Sequence, residues 1–249
     1  GDADIIARAH PDLQGPSDLA MVQAAPPPMR RSMASIQPGA SLPPPPAVPA
    51  PIAEQVKLLK AAAEIHVVRR EAPADAIPLL ERAAALTPAD RDLLLSLGDA
   101  YSAAGRGREA AQVLERVIAS FGHRRTKELA RYHHRLAGAL AQLGDKDVAL
   151  TQLDMAFKID PGSVSVLKDL GLLALETNDL DRAQKTFRAL LLQRLDASVG
   201  ISKGEVFYYL GEISAKQGDK VKAVQMFERA VENDPALTLA RAKLAELKG

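Results

Sequence analysis

Cysteine is absent from the 249 residues, so the chain can form no disulfide, no thiolate zinc site and no cysteine nucleophile. Tryptophan is absent too, and aromatic residues make up only 4% of the chain. Since 47% of the residues are hydrophobic, alanine and leucine must fill the core, which favours close-packed helices over a sheet sandwich. No apolar run approaches the roughly 18 residues that a membrane span needs.

Basic and acidic side chains nearly balance, with 32 of the first kind, 31 of the second and a net charge of +1. A general nucleic-acid binder usually carries a clear basic excess, so nucleic acid is not the expected partner. The first residue is Gly1 and not methionine, so we expect the true start of the protein to lie upstream. The expected location is the cytoplasm, although the lack of cysteine alone leaves the compartment open.

Proline divides the chain into two regions. Twelve of the 17 prolines lie in residues 1–51, and four of them form the run from Pro43 to Pro46. Proline fixes φ and lacks an amide donor, so residues 1–52 are predicted to be an extended linker or tail, largely without regular structure. Pro43 and Pro46 also have the spacing of a PxxP ligand, but a plain linker is the favoured interpretation. From residue 53 helical periodicity takes over, which predicts a helical domain at 53–249.

The helical region repeats a pattern. A small residue is followed four positions later by a large apolar residue, then by another apolar or small residue, and then by a turn. Five sets share this order: Ala76–Leu80–Ala83–Pro88, Ala110–Leu114–Val117–Gly122, Ala149–Leu153–Ala156–Pro161, Ala183–Phe187–Leu190–Leu195 and Ala223–Phe227–Ala230–Pro235. A second pattern lies upstream of four of the sets, at Leu97-Gly98, Leu136-Ala137, Leu170-Gly171 and Leu210-Gly211, and a turn residue separates the two at Gly105, Gly144, Asn178 and Gly218.

These residues resemble the tetratricopeptide repeat, with its L-G-x2-Y, A-x3-F and closing P pattern at a period of about 34 residues. The resemblance implies an all-α, right-handed α-solenoid of about five helix-turn-helix repeats, because one repeat cannot bury its apolar faces alone. The repeats are placed at about 57–90, 91–124, 130–163, 164–197 and 204–237, with a capping helix at 236–248. About five extra residues before the third repeat and six before the fifth interrupt the period, which predicts a longer helix or turn at both places.

Few residues suggest chemistry. His133 and His134 are adjacent, so on a helix they point about 100° apart and cannot chelate one metal together. The stretch from Gly105 to Arg108 lacks the Gly-Lys-Ser/Thr ending of a phosphate loop and fits a turn between helices. We therefore expect no catalytic residue, no cofactor, no metal site, and a chain that is not an enzyme.

In proteins of this family the concave surface is lined mainly by the first helix of each repeat. Carried over to this sequence, the resemblance implies eleven partner-binding residues: Asp92, Leu95, Asp99, Arg131, His134, Arg135, Lys168, Leu172, Glu205, Tyr208 and Glu212. A basic cluster beside them could bind an acidic segment or a phosphate, or could be a solvated helix start: His123, Arg124, Arg125, Lys127, Arg131 and Arg135. A clamp for a terminal carboxylate is not expected, since no three consecutive repeats supply its Lys, Asn and Arg pattern.

The resemblance implies a protein–protein interaction scaffold that binds a segment of another protein or a peptide in this groove. The alternative is a regulatory or substrate-docking segment of a larger enzyme, such as a kinase or glycosyltransferase, whose catalytic domain is absent from this chain. RNA binding through the basic cluster ranks third. Self-association through the proline-rich tail is a further hypothesis, since a polyproline segment loses little entropy on docking.

Overall fold

The computed structural model describes residues 50–195 and 200–248, and these residues contain α-helices, one π-helical turn and no strand. Residues 1–49 of the proline-rich segment, including its PxxP spacing, lie outside the described part of the chain. The described residues belong to one compact unit. The helices are α1 (Ala50–Glu64), α2 (Pro73–Leu86), α3 (Arg91–Ala103), α4 (Gly107–Ser120), α5 (Lys127–Gln142), α6 (Lys146–Ile159), α7 (Val164–Glu176), α8 (Leu180–Leu191), α9 (Lys203–Lys216), α10 (Lys220–Asn233) and α11 (Thr238–Lys248).

Successive helices pack as hairpins, and each hairpin packs against the next. The extensive contacts in the described residues join helices that are neighbours in the sequence, or the first helices of adjacent hairpins, as with α3 and α5. Stacking of this kind, in which each unit touches only its neighbours, defines a solenoid. The prediction of an all-α solenoid of repeats is confirmed.

The repeated small residues of the second helices form the centre of the core. All five alanines that open the sets are completely buried, at Ala76, Ala110, Ala149, Ala183 and Ala223. The large residue four positions later fills the space against the first helix of the same hairpin. A Cβ atom on Gly171 would lie 3.0 Å from the Phe187 ring, and one on Gly98 would lie 3.1 Å from Leu114. The small residue of the first helix therefore sets how closely the two helices approach.

The turns inside the hairpins need a left-handed backbone. The φ angle is 74° at Gly105, 87° at Gly144 and 81° at Gly218, where glycine pays no Cβ penalty. Asn178 has the same conformation at φ 62°. The chain reverses here because each of these residues ends the first helix of its hairpin.

The irregular spacing of the repeats has two structural counterparts. Residues 121–126 form a turn and Thr126 caps α5 by accepting from the Leu129 amide, so the extra residues lengthen both the turn and the helix. Before the fifth hairpin, residues 196–199 lie outside the described part of the chain, and α9 begins at Lys203 with a capping box between Ser202 and Glu205. The first hairpin differs in another way, because α1 continues into a π-helical turn at Ile65–Arg69.

Candidate partner-binding groove

The first helices of adjacent hairpins present their polar side chains on one shared face. Arg131 on α5 lies 4.0 Å from Asp92 on α3, and Arg135 lies 3.0 Å from Asp99. On the other side of α5, Nε2 of His134 lies 2.6 Å from a carboxylate oxygen of Asp169 on α7. We call this surface of α3, α5, α7 and α9 the A-face. The structure thus brings predicted residues of the second and third repeats together, and it adds Asp169 of the fourth repeat, which was not among the predicted residues.

Leu95 was predicted to contact a partner in the groove, and the structure shows that it does not line the groove surface. Its side chain is only 5% exposed and belongs to the hydrophobic core. Helix α3 packs against α2, α4 and α5, so three of its sides are covered and little apolar surface remains for a partner. Leu172 on α7, by contrast, is partly exposed and lies at the rim of the core. Lys168 is half-buried, with Nζ near the connection to α9 at Gly200.

Asp99 is a half-buried carboxyl in the middle of the charged row. Burial raises the pKa of this carboxyl above its ordinary value, although Arg135, Arg131 and His134 all act to lower it. Three cationic or ionisable nitrogen groups thus lie near one half-buried carboxylate. Charges in such a place interact more strongly than on an open surface.

The predicted basic cluster is partly neutralised by the chain itself. Arg131 and Arg135 face Asp92 and Asp99, and Lys127 lies 3.9 Å from Asp160. The remaining three members lie in the exposed turn before α5, at His123, Arg124 and Arg125. Pairing with aspartates on neighbouring helices was not visible from the sequence, because it depends on how the helices are aligned against each other.

A pocket of about 230 Å³ opens on the A-face between α5 and α7. Its floor is apolar, and His134, Asp169 and Glu176 lie at its rim. A Cβ atom on Gly138 would meet no atom within 4 Å, so the missing side chain leaves this space open. The pocket is lined by His134, Ala137, Gly138, Ala141, Leu153, Asp169, Leu172, Leu173 and Glu176.

The fifth repeat adds aromatic surface to the A-face. Tyr208 is half-buried, with its ring 5.5 Å from Tyr209 and 5.6 Å from Phe227. Burial and the nearby Glu212 carboxylate raise the pKa of Tyr208. Glu205, also predicted to bind a partner, caps α9 instead, since its carboxylate accepts a hydrogen bond from the Ser202 amide at 2.6 Å.

Sequence reasoning missed a larger space at the start of the solenoid. It measures about 500 Å³ and borders α1 and the turn between α2 and α3, with Lys60 lying 3.6 Å from Asp90 across it. The first repeat lacks the Leu-Gly or Leu-Ala pair of the other four, so no repeat position pointed to this surface. The lining residues are Ala53, Val56, Lys57, Lys60, Ala61, Glu64, Thr87 and Asp90.

The adjacent histidines of α5 serve different contacts. Nδ1 of His133 lies 2.7 Å from the Gln152 side chain on α6, while His134 reaches Asp169 on α7. In the described part of the chain, no three His, Asp or Glu side chains are grouped so that they could hold a metal ion. None of the described helices is long and apolar enough to cross a membrane.

Family models of the tetratricopeptide repeat match the sequence twice, over residues 68–130 and over residues 168–238. The chain belongs to the tetratricopeptide repeat family. A human protein, "Protein O-mannosyl-transferase TMTC1", is 27% identical to this tetratricopeptide repeat chain over 178 residues. That alignment takes in 70% of the chain and 19% of the human protein, so the chain spans about a fifth of that relative's length.

Solved tetratricopeptide repeat structures have the same fold. "MamA 41-end from Desulfovibrio magneticus RS-1" superposes with a TM-score of 0.62 at 17% identity, covering 77% of this chain and 99% of that one. "YrrB: a TPR protein with an unusual peptide-binding site" gives 0.59 at 19% identity, covering 79% and 98%. At such identities the similarity shows the fold alone.

Proposed function

We propose that this protein is an interaction scaffold that binds a segment of a partner protein on the A-face. The observation that carries the proposal is the pocket between α5 and α7, whose apolar floor is held open by Gly138. Binding sites typically combine apolar walls with a few polar groups that fix orientation. Here the walls are provided by Ala137, Leu153 and Leu173, and the polar groups stand at the rim.

The chemistry of the pocket favours an apolar side chain flanked by hydrogen-bond donors. A buried apolar side chain would gain about 1.5–3 kcal/mol from leaving water. Asp169 and Glu176 are seven residues apart on α7, so both carboxylates lie along the same side of the helix. Asp169 contacts His134 and Glu176 accepts from Lys146 at 2.8 Å, which leaves one oxygen of each carboxylate to accept from a partner's amide or basic group. Tyr208, farther along the A-face, offers a rigid aromatic contact to the same segment.

Filling the pocket tests the proposal. Gly138→Leu places a side chain into open space without touching the core, and helix propensity favours the change. Ala119→Leu is the matched control, since Ala119 is exposed on α4, a second helix of a hairpin. The partner is first identified by affinity capture on the wild-type chain, and its binding segment is then measured by calorimetry against all three proteins.

We expect the G138L variant to weaken the segment at least about tenfold and A119L to leave its affinity unchanged. Equal affinity for wild type and G138L would refute binding at this pocket. Loss of affinity in both variants would point to a general effect of added leucine and would also count against the proposal.

A second candidate is a docking segment of a larger enzyme, favoured by the similarity to part of the human O-mannosyl-transferase. In that case the A-face would bind the enzyme's substrate or its own catalytic domain. Intact mass spectrometry and peptide sequencing of the protein purified from its natural source separate the two. A polypeptide too short to hold a catalytic domain beside these residues supports the separate scaffold, and one whose peptides include a catalytic domain supports the enzyme segment.

A further inference from the structure

Helix α1 and the π-helical turn that continues it expose an apolar stripe that the A-face does not include. Leu58 is 63% exposed and Ile65 is 44% exposed, and Ala61 between them is exposed as well. The three lie at i, i+3 and i+7, which puts them on one side of the helix, opposite the buried Val56 and Ala63. Isolated apolar residues on a surface need no explanation, but a row along one helix marks an interaction surface.

The other end of the solenoid is built differently. Helix α11 has one large exposed apolar residue, Leu239, among Arg241, Lys243, Glu246 and Lys248. A polar outer face of this kind is what keeps the terminal unit of a repeat array soluble. Helix α1 lacks such a face along its apolar stripe, so burial of the stripe against another surface is favourable.

Charges at the two ends of the stripe make it self-complementary. Glu54, Leu58, Ile65 and Arg69 are all exposed and are spaced four, seven and four residues apart, a pattern that reads the same in both directions. If two copies of α1 lie antiparallel about an axis between Ala61 and Ala62, Leu58 of each faces Ile65 of the other. Glu54 of each, whose carboxylate lies 3.8 Å from Lys57 of its own chain, then faces Arg69 in the π-helical turn of the other.

From this pattern we infer that the chain forms a two-fold dimer through antiparallel pairing of its α1 helices. A two-fold interface is isologous, so each contact occurs twice. Parallel pairing would place Glu54 beside Glu54 and Arg69 beside Arg69, and like charges repel. The small alanines at the centre allow the two helix backbones to approach closely, as small residues do at other helix interfaces.

The surroundings of the stripe fit a second copy of α1. Lys57 and Glu64 lie on one flank of α1, and antiparallel pairing places Lys57 of one copy level with His66 of the other, two residues beyond Glu64. The space of about 500 Å³ beside α1 borders the stripe along Lys57, Ala61 and Glu64, which leaves room for these flanking side chains. The proposed partner surface is separate from the pocket at Gly138, so the dimer and the scaffold function are independent.

Sedimentation equilibrium of the full chain tests the dimer. We expect concentration-dependent dimerisation that Leu58→Glu weakens at least about tenfold, because it buries two unpaired carboxylates in the interface. Leu239→Glu changes a side chain of similar exposure, 59%, on α11 and should leave the dimer intact. Exchange of charges gives a second check: E54R and R69E each weaken the dimer, and the double variant restores it.

Cysteine cross-linking tests the antiparallel arrangement, since the natural chain has no cysteine. A disulfide needs Cα atoms within about 7 Å. In the proposed dimer Leu58 of one copy lies beside Ile65 of the other, while the two Leu58 residues are about 10 Å apart along the helix. A mixture of L58C and I65C chains should therefore form a disulfide-linked heterodimer, and L58C alone should not link.

Three results would overturn the inference. The first is a wild-type chain that remains monomeric up to millimolar concentration. The second is a dimer that survives L58E, and the third is efficient cross-linking of L58C to itself. None of these results bears on the A-face, whose test uses binding of a partner segment to G138L.

Discussion

Gly211 and Phe227 lie so close together that a Cβ atom on Gly211 would come within 2.7 Å of the Phe227 ring. Gly211 belongs to the first helix of the fifth hairpin and Phe227 to the second, so this contact fixes the spacing between α9 and α10. The ring is completely buried and cannot turn outward without leaving a cavity. The pair shows in atomic terms why the repeat combines a small residue with a large one.

Gly211→Ala should therefore destabilise the chain, although alanine is the better helix former. Overpacking costs about 1–3 kcal/mol and outweighs the gain of about 1 kcal/mol in helix propensity. Gly138→Ala is the matched control, because its new methyl group enters open space and should stabilise the chain. Urea unfolding followed by circular dichroism measures both, and a midpoint for G211A at or above that of wild type would contradict the packing argument.

Asn178 supports a prediction about the turns. At φ 62° it is in the left-handed region, which costs an ordinary residue about 1–2 kcal/mol. Asn178→Ala should lower the free energy of unfolding by about 1 kcal/mol, whereas Asn178→Gly should leave it unchanged or raise it slightly. Thermal unfolding of the two variants checks the order, and equal stability of both would show that the turn relaxes without cost.

The turn residue and the core sets could be predicted from the sequence because they recur at fixed spacing. Asn178 aligned with three glycines, and Phe187 and Phe227 aligned with leucines in the other repeats, so the repetition revealed which positions need one conformation or one size. The alignment of one helix against the next could not be predicted in this way. The pairing of Arg135 with Asp99 depends on how α5 lies against α3, and no local pattern encodes that distance.

The first repeat was described least well from the sequence, for a related reason. Its π-helical turn at Ile65–Arg69 has no counterpart in the other described repeats, and the exposed stripe of α1 lies outside the repeat positions. The groove residues were predicted from their positions within the family's repeat, and one of them, Leu95, is buried by the packing of α3. Which residues of the A-face contact a partner stays a prediction.

Tyr101 gives the chain a pH dependence in alkali. Burial and a hydrogen bond to Glu81 raise the pKa of Tyr101 to about 12. In the unfolded chain the pKa of a tyrosine is about 10. Above that pH the unfolded chain therefore loses the proton first, and the folded state loses stability up to about pH 12. Below about 10 the phenol is neutral in both states and contributes no slope.

Tyr101→Phe should flatten this alkaline decline, because phenylalanine has no proton to lose. The variant also loses the hydrogen bond to Glu81, so at neutral pH it should be less stable by about 1 kcal/mol. Urea midpoints of both proteins at pH values below and above about 10 give the comparison. A decline that is equally steep in the variant would assign the alkaline instability to other groups.

The carboxylate of Asp99 partly neutralises the arginines of the A-face, so removing it should increase the affinity of the groove for acidic peptides. Without this carboxylate Arg135 loses its ion-pair partner and the nearby Arg131 and His134 lose a compensating negative charge, so the local potential becomes more positive. We expect Asp99→Ala to bind an acidic peptide such as oligoglutamate several-fold more tightly than wild type, and the gain should shrink as salt rises.

Asp147→Ala is the matched control, because it removes the same charge from an exposed position on α6 and should change the affinity little. Fluorescence anisotropy with a labelled peptide measures all three proteins, and an equal gain in both variants would show that net charge, and not the arrangement around Asp99, governs the binding.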